Sequence, residues 1–190
     1  EKHFGSIPAG KVVKNIPEPE DDLPELSQLE LQGPGETTFI QVAYRSPKAD
    51  SDDFFAFSLM ESLLTGPSNL NMFGSGGVGH HTSRLYLAMV DEGLAAGVGG
   101  SLSANIDPST FTLYLTKNPT RTIEEVLQTL DSQIEALQSQ PIAQTEIDRA
   151  LKQTKALFAY SSDNITNQAF WMGYASSFAR YDWFTHYVNR

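Results

Sequence analysis

The chain of 190 residues contains no cysteine. That excludes disulfide staples, thiolate zinc ligands and a thiol nucleophile. Histidine is scarce as well: His3, His80, His81 and His186 are the only four. His80 and His81 are adjacent, so on a helix their rings would point about 100° apart. A zinc site of the H-x-x-E-H kind needs two imidazoles on one helical face, and no such spacing exists in this sequence. There is no Gly-x-Ser-x-Gly elbow, the strand-to-helix turn that exposes a serine nucleophile. Basic residues are outnumbered 13 to 23, for a net charge of −10. This argues against a nucleic-acid backbone as partner and is compatible with basic peptides. No apolar run approaches the roughly 18 residues of a membrane span. On these grounds we expect no catalytic residue, no metal ligand and no cofactor in this chain.

What is present divides by composition. The N-terminal EKHFGSIPAG lacks a secretory pattern and reads as the tail of a preceding domain over residues 1–10. Residues 11–36 follow as an interdomain linker. Pro17, Pro19, Pro24 and Pro34 break regular structure there, and seven carboxylates lie between Glu18 and Glu36 without a base. Residues 37–190 then read as one domain.

TTFIQVAYRSP is rich in β-branched and aromatic residues and predicts a strand ending at Pro47. Phe39, Ile40, Val42 and Tyr44 do not alternate cleanly, which suggests two partly covered faces. Phe54–Leu64 has helical spacing, with Asp52 or Asp53 as cap. SRLYLAMVDE predicts a second helix, closed by Gly93. In GVGGSLSANIDP, Val98, Leu102, Ala104 and Ile106 fall on one face, with Gly99, Ser101, Ser103 and Asn105 on the other. FTLYLTK turns Phe111, Leu113 and Leu115 inward, so the two segments form an antiparallel hairpin with one buried face. TIEEVLQTLDSQIEALQSQ carries a capping box at Thr122 and Glu125 and one apolar stripe. Thr145 can cap the next helix, whose buried side holds Ile147, Ala150, Leu151, Leu157 and Phe158. The aromatic C-terminal stretch reads as helical core. Strands segregated from helices indicate an α+β fold of two layers, a mainly antiparallel sheet with helices packed on one face.

FGSGGVGHHT contains Gly74-x-Gly76-x-x-Gly79, the letters of a dinucleotide loop. Such a loop must leave a strand and open a helix. This one joins two helices, and no phosphate-binding lysine precedes Thr82 or Ser83.

The ordered segments HFGSIP, DDFFAFSLMESLLTG, SRLYLAMVDEGLAAGV, TFTLYLTKNP and TEIDRALKQTKALF resemble the second, non-zinc half of pitrilysin and mitochondrial processing peptidase-like zinc metallopeptidases. That resemblance implies two homologous α+β domains closing around a peptide. Zinc belongs to the other one, an N-terminal domain in cis or a homologous subunit. It also implies that the domain continues past Arg190. The second half of active pairs often offers the peptide an Arg and, seven residues on, a Tyr. Alignment on EGLAAGV puts Met89 and Ala96 at those positions. A glycine-rich loop helps hold substrate in some non-catalytic subunits, which makes Gly74, Gly76, Gly77 and Gly79 candidate substrate contacts. Gly97, Gly99 and Gly100 are candidates too, because a glycine strand leaves room for another backbone. The rival expectations are an assembly scaffold that kept the fold without the chemistry, and a stand-alone peptide-binding module.

Overall fold

The computed structural model describes residues 5, 6, 8, 10, 27–67 and 80–187. The chain falls into two compact units, residues 1–35 and 36–190. Among the described residues of the first unit there is neither helix nor strand, and Leu29 and Leu31 stand exposed.

The second unit is built on three strands: β1 (Phe39–Ser46), β2 (Ala95–Leu102) and β3 (Ser109–Lys117). They lie in the order β1-β3-β2, and β3 pairs antiparallel with both neighbours. Side chains alternate between faces every residue, and the register sorts them. Phe111, Leu113 and Leu115 of β3 stand opposite Tyr44, Val42 and Ile40 on one side, and opposite Leu102, Gly100 and Val98 on the other. This row is the inner face, and the three β3 residues are buried. β1 alternates more cleanly than its sequence suggests. Phe39 lies on the opposite face and is 76% exposed.

The helices are α1 (Asp52–Thr65), α2 (Ile123–Ser139), α3 (Gln144–Ser162), α4 (Ile165–Phe178) and α5 (Asp182–His186). Ser51, rather than either aspartate, caps α1 by accepting from the Asp53 amide. Asp52 and Asp53 instead occupy the first turn, where their charge suits the positive end of the helix dipole. The capping box of α2 forms as its sequence predicts. Thr145 does not cap α3: that helix begins one residue earlier, behind Ala143, with no side-chain cap. Leu151 of α3 is exposed, not buried. The segment expected as an ordinary second helix contains a π-helical turn over Tyr86–Val90. There the Asp91 amide donates to the Tyr86 carbonyl at 3.1 Å, and the Leu94 amide to Met89 at 2.7 Å. The first bond spans five residues instead of four and widens the helix locally; the second, together with the Gly93 amide donating to the Val90 carbonyl at 3.1 Å, closes the helix in a Schellman motif. Gly93 follows with φ +67° and turns the chain into β2.

The aromatic C-terminus completes the core. Trp183 of α5 packs against Phe54, Phe55, Phe178 and Tyr187. Its indole N–H donates to the Ala49 carbonyl at 2.9 Å, so the buried donor is satisfied. Trp171 of α4 stacks on Phe184. Helices therefore cover the inner face of a mainly antiparallel sheet.

Candidate functional site

β2 pairs with β3 alone among the described residues, so its other edge carries no strand. Three of its residues are glycines, and the register gives them different surroundings. Gly97 stands opposite Thr116, Gly99 opposite Tyr114 and Gly100 opposite Leu113. A Cβ at Gly97 or Gly99 would meet nothing within 4 Å. A Cβ at Gly100 would lie 2.5 Å from Oγ1 of Thr65, the last residue of α1. Thr65 is buried, and its hydroxyl donates to the Glu61 carbonyl at 3.1 Å, so it has little freedom to move aside. Gly100 thus lets α1 approach the inner face of β2. Among the described residues neither Gly97 nor Gly99 is required by a neighbour or by a positive φ, though Gly97 adjoins the irregularity in the β2–β3 register, where glycine is often found. Glycine inside a strand weakens it by roughly 0.5–1 kcal/mol relative to alanine. At Gly99 nothing among the described residues offsets that loss.

The outer face carries Phe39, Gln41, Ala43 and Arg45 of β1, then Thr110, Thr112, Tyr114 and Thr116 of β3, then the two open glycines and Ser101. Thr112 is buried among its neighbours, while Tyr114 on the central strand is 47% exposed. Tyr114 was legible as outward-facing from the alternation of FTLYLTK, although that pattern gave no reason to single it out.

Met89 and Ala96 sit differently. Met89 is fully buried, within the π-helical turn. Ala96 is exposed at the irregularity in the β2–β3 register between Ala95 and Gly97. Neither residue offers a polar group where the resemblance places the Arg and Tyr of active pairs.

The helix start at residues 83–85 is held from α3. Arg84 Nε and Nη2 donate to the two Glu146 oxygens at 2.6 and 2.8 Å. Both side chains are largely buried. The hydrogen bonds from Arg84 hold the Glu146 carboxyl below the usual carboxylate range, against the opposing effect of burial. Two helical turns further along α3, Gln153 donates to the Thr82 hydroxyl at 3.3 Å, and His81 lies edge-on to Tyr86. No local sequence signal pointed to this clamp, because its partners lie 62 residues apart.

Beyond the end of β2, residues 104–109 border an open depression of about 480 Å³ facing Tyr174, Ser177 and Phe178 of α4. Tyr174 donates to the Ala104 carbonyl at 2.9 Å and anchors this connection. Ile106, expected on the buried face, is 63% exposed, because β2 ends at Leu102 and the alternation stops there. Gly74, Gly76, Gly77 and Gly79 lie outside the described residues. Among the described residues no group of three or more His, Asp or Glu could hold a metal. With cysteine absent as well, the described donors do not fit a zinc site. No described helix is long and apolar enough to cross a membrane.

Residues 1–154 match the family described as the peptidase M16 inactive domain. No match to a curated protein was found. Among solved structures, a protein described as a zinc protease from Bordetella pertussis Tohama I superposes with a TM-score of 0.67 at 25% identity, over 82% of this chain and 79% of that one. The inactive peptidase domain of a protein so described from Bordetella parapertussis gives 0.66 at 22%, over 85% and 81%. A protease from Helicobacter pylori gives 0.70 at 19%, over 83% of this chain but 35% of its own length. The last two likenesses speak for the fold alone. The family match covers most of the sequence and agrees with the sheet, the helical layer and the described donors, so the chain belongs to the peptidase M16 inactive-domain family.

Proposed function

We propose that this chain is the non-catalytic, substrate-enclosing half of a zinc-dependent endopeptidase. The zinc and the activated water would belong to an N-terminal domain in cis or to a homologous subunit. The observation that carries this reading is β2: among the described residues it is an edge strand, and its outward Gly99 is required by no described neighbour. An extended peptide can add to such an edge through main-chain hydrogen bonds, which give affinity tolerant of sequence. The depression lined by residues 104–109 and α4 lies past the end of β2 and is proposed to receive the next part of the peptide. The glycines at 74, 76, 77 and 79 are proposed as a second contact, their accessible amides following varied backbones. The acidic first unit sits in residues 1–35, and we read it as the preceding domain's tail and linker.

The test is assembly. This chain alone should cleave no peptide. Mixed with or joined to a zinc-binding M16 domain, it should support cleavage that a chelator abolishes. Metal-dependent cleavage by the chain alone, or equal cleavage by the zinc domain without it, would overturn the proposal.

The burial of Met89 favours one second reading, a scaffold that kept the fold without the chemistry. That reading predicts a stable assembly with no cleavage at all.

A further inference from the structure

The outer face has one half-exposed aromatic residue on its central strand, Tyr114. It lies between Gln41 of β1 and Gly99 of β2, and its ring meets no other aromatic ring among the described residues. On the β2 side no described side chain covers the surface next to Tyr114, because Gly97 and Gly99 contribute none and a Cβ at either would meet no described atom within 4 Å. The result is a trough one strand wide, walled on one side by Tyr114 and open on the other at the edge of β2.

Strand spacing fixes what can use this trough. A peptide added to the edge of β2 would stand about 4.8 Å from it, and so roughly 10 Å from β3. Its side chains would alternate between the two faces of the sheet. On the outer face a serine, alanine or valine is too short to reach across. An aromatic ring can lie over glycine and bring its centroid to within about 4.5–7 Å of the Tyr114 ring, the range of favourable aromatic pairs. Aromatic side chains folded over a neighbouring-strand glycine are a known way to offset glycine's weakness in sheets.

Charge argues the same way. Although the chain is strongly acidic overall, the outer face carries Arg45 and no carboxylate. A basic side chain would find no ion pair there.

We propose that Tyr114, acting across Gly99, is a specificity-determining residue that selects a large aromatic side chain in the docked peptide. This rests on the edge docking proposed above and narrows its substrate class. The expected preference for basic peptides is replaced, at this position, by one for aromatic ones.

The experiment uses this chain and fluorescein-labelled ten-residue peptides with a Ser/Thr background. A single central residue is Phe, Lys or Ala, and binding is read by anisotropy. The Phe peptide should bind about tenfold more tightly than the Ala peptide, which is the upper range for an aromatic pair. Tyr114→Ala should reduce that ratio below about twofold, and Tyr114→Phe should retain it. Gly99→Val, which fills the trough, should remove the ratio without lowering the melting temperature.

A Phe preference unchanged in Tyr114→Ala overturns the proposal, as does a Lys peptide that outbinds Phe. A parallel set methylated at alternate backbone amides separates the two claims. If methylation weakens every peptide but no aromatic preference exists, edge docking stands and the role of Tyr114 falls. If methylation has no effect, or no peptide binds, both fall.

Discussion

Gly99 and Gly100 are neighbours in the chain and lie on opposite faces of one strand. On the inner side, a Cβ at Gly100 would strike the buried Thr65 hydroxyl. On the outer side, a Cβ at Gly99 would meet nothing. The same residue type thus sits in two different surroundings 3–4 Å apart along the chain. Gly100 permits close packing of α1 on the sheet, a requirement satisfied inside the molecule. No described residue gives Gly99 a comparable reason. If the proposed docking holds, the contrast separates stability from recognition within one eight-residue strand, and it can be broken from either side.

The largest effect should come from the inner face. Gly100→Val should destabilise the fold by about 3 kcal/mol, because overpacking against a pinned, β-branched neighbour leaves no rotamer escape. For a domain of this size that corresponds to a fall in Tm of roughly 6–12 °C. A thermal melt within 2 °C of the parent chain would show that α1 and β2 are less tightly opposed than described.

Next comes the clamp that holds the helix start against α3. Glu146→Gln removes the charge from a bidentate, largely buried pair and should cost about 2 kcal/mol near neutral pH. Its pH dependence has a definite sign. The folded Glu146 carboxyl is depressed, so the pair's contribution is fully present above the ordinary carboxylate pKa. It is lost as pH falls through the lowered folded value. Denaturant titrations of parent and variant should therefore converge on acidification. A gap that stays constant down to strongly acidic pH would remove the ion pair from the account.

The outer face should behave in the opposite way. Gly99→Val should leave stability unchanged or raise it by up to about 1 kcal/mol, since valine suits a strand and finds open space. The same variant should weaken binding of aromatic peptides. Equal destabilisation by Gly99→Val and Gly100→Val would erase the comparison.

The smallest stability effect is expected for Tyr114→Ala, within about 1 kcal/mol because the ring is half exposed. A loss of several kcal/mol would mark Tyr114 as a structural residue.

Much of the fold was legible before any coordinates, and the reason is local. The hairpin of β2 and β3 shows in a two-residue alternation, and α2 announces itself through Thr122 and Glu125. The inward set Phe111, Leu113 and Leu115 follows from period alone. What could not be read depends on residues far apart in sequence. The π-helical turn is set by where the Asp91 amide finds its carbonyl, not by helix propensity. Arg84 and Glu146 give no local sign of each other. Ile106 continued the alternation on paper, but the strand had already ended. The glycines of β2 could be noticed as a group, yet only the cross-strand register and the position of Thr65 tell them apart. Gly74 to Gly79 are legible as letters only, and their role awaits the substitution of all four by alanine.

Hydrogen exchange on β2, with and without the Phe-containing peptide, tests the central claim most directly. Among the described strands the sheet has two edges, β1 and β2, and both pair with β3 on one side only. A saturating peptide should slow exchange of amides within Gly97–Ser101 by tenfold or more while leaving β1 unchanged. Unchanged protection in β2, or equal slowing at β1, would contradict the assignment of β2 as the docking edge.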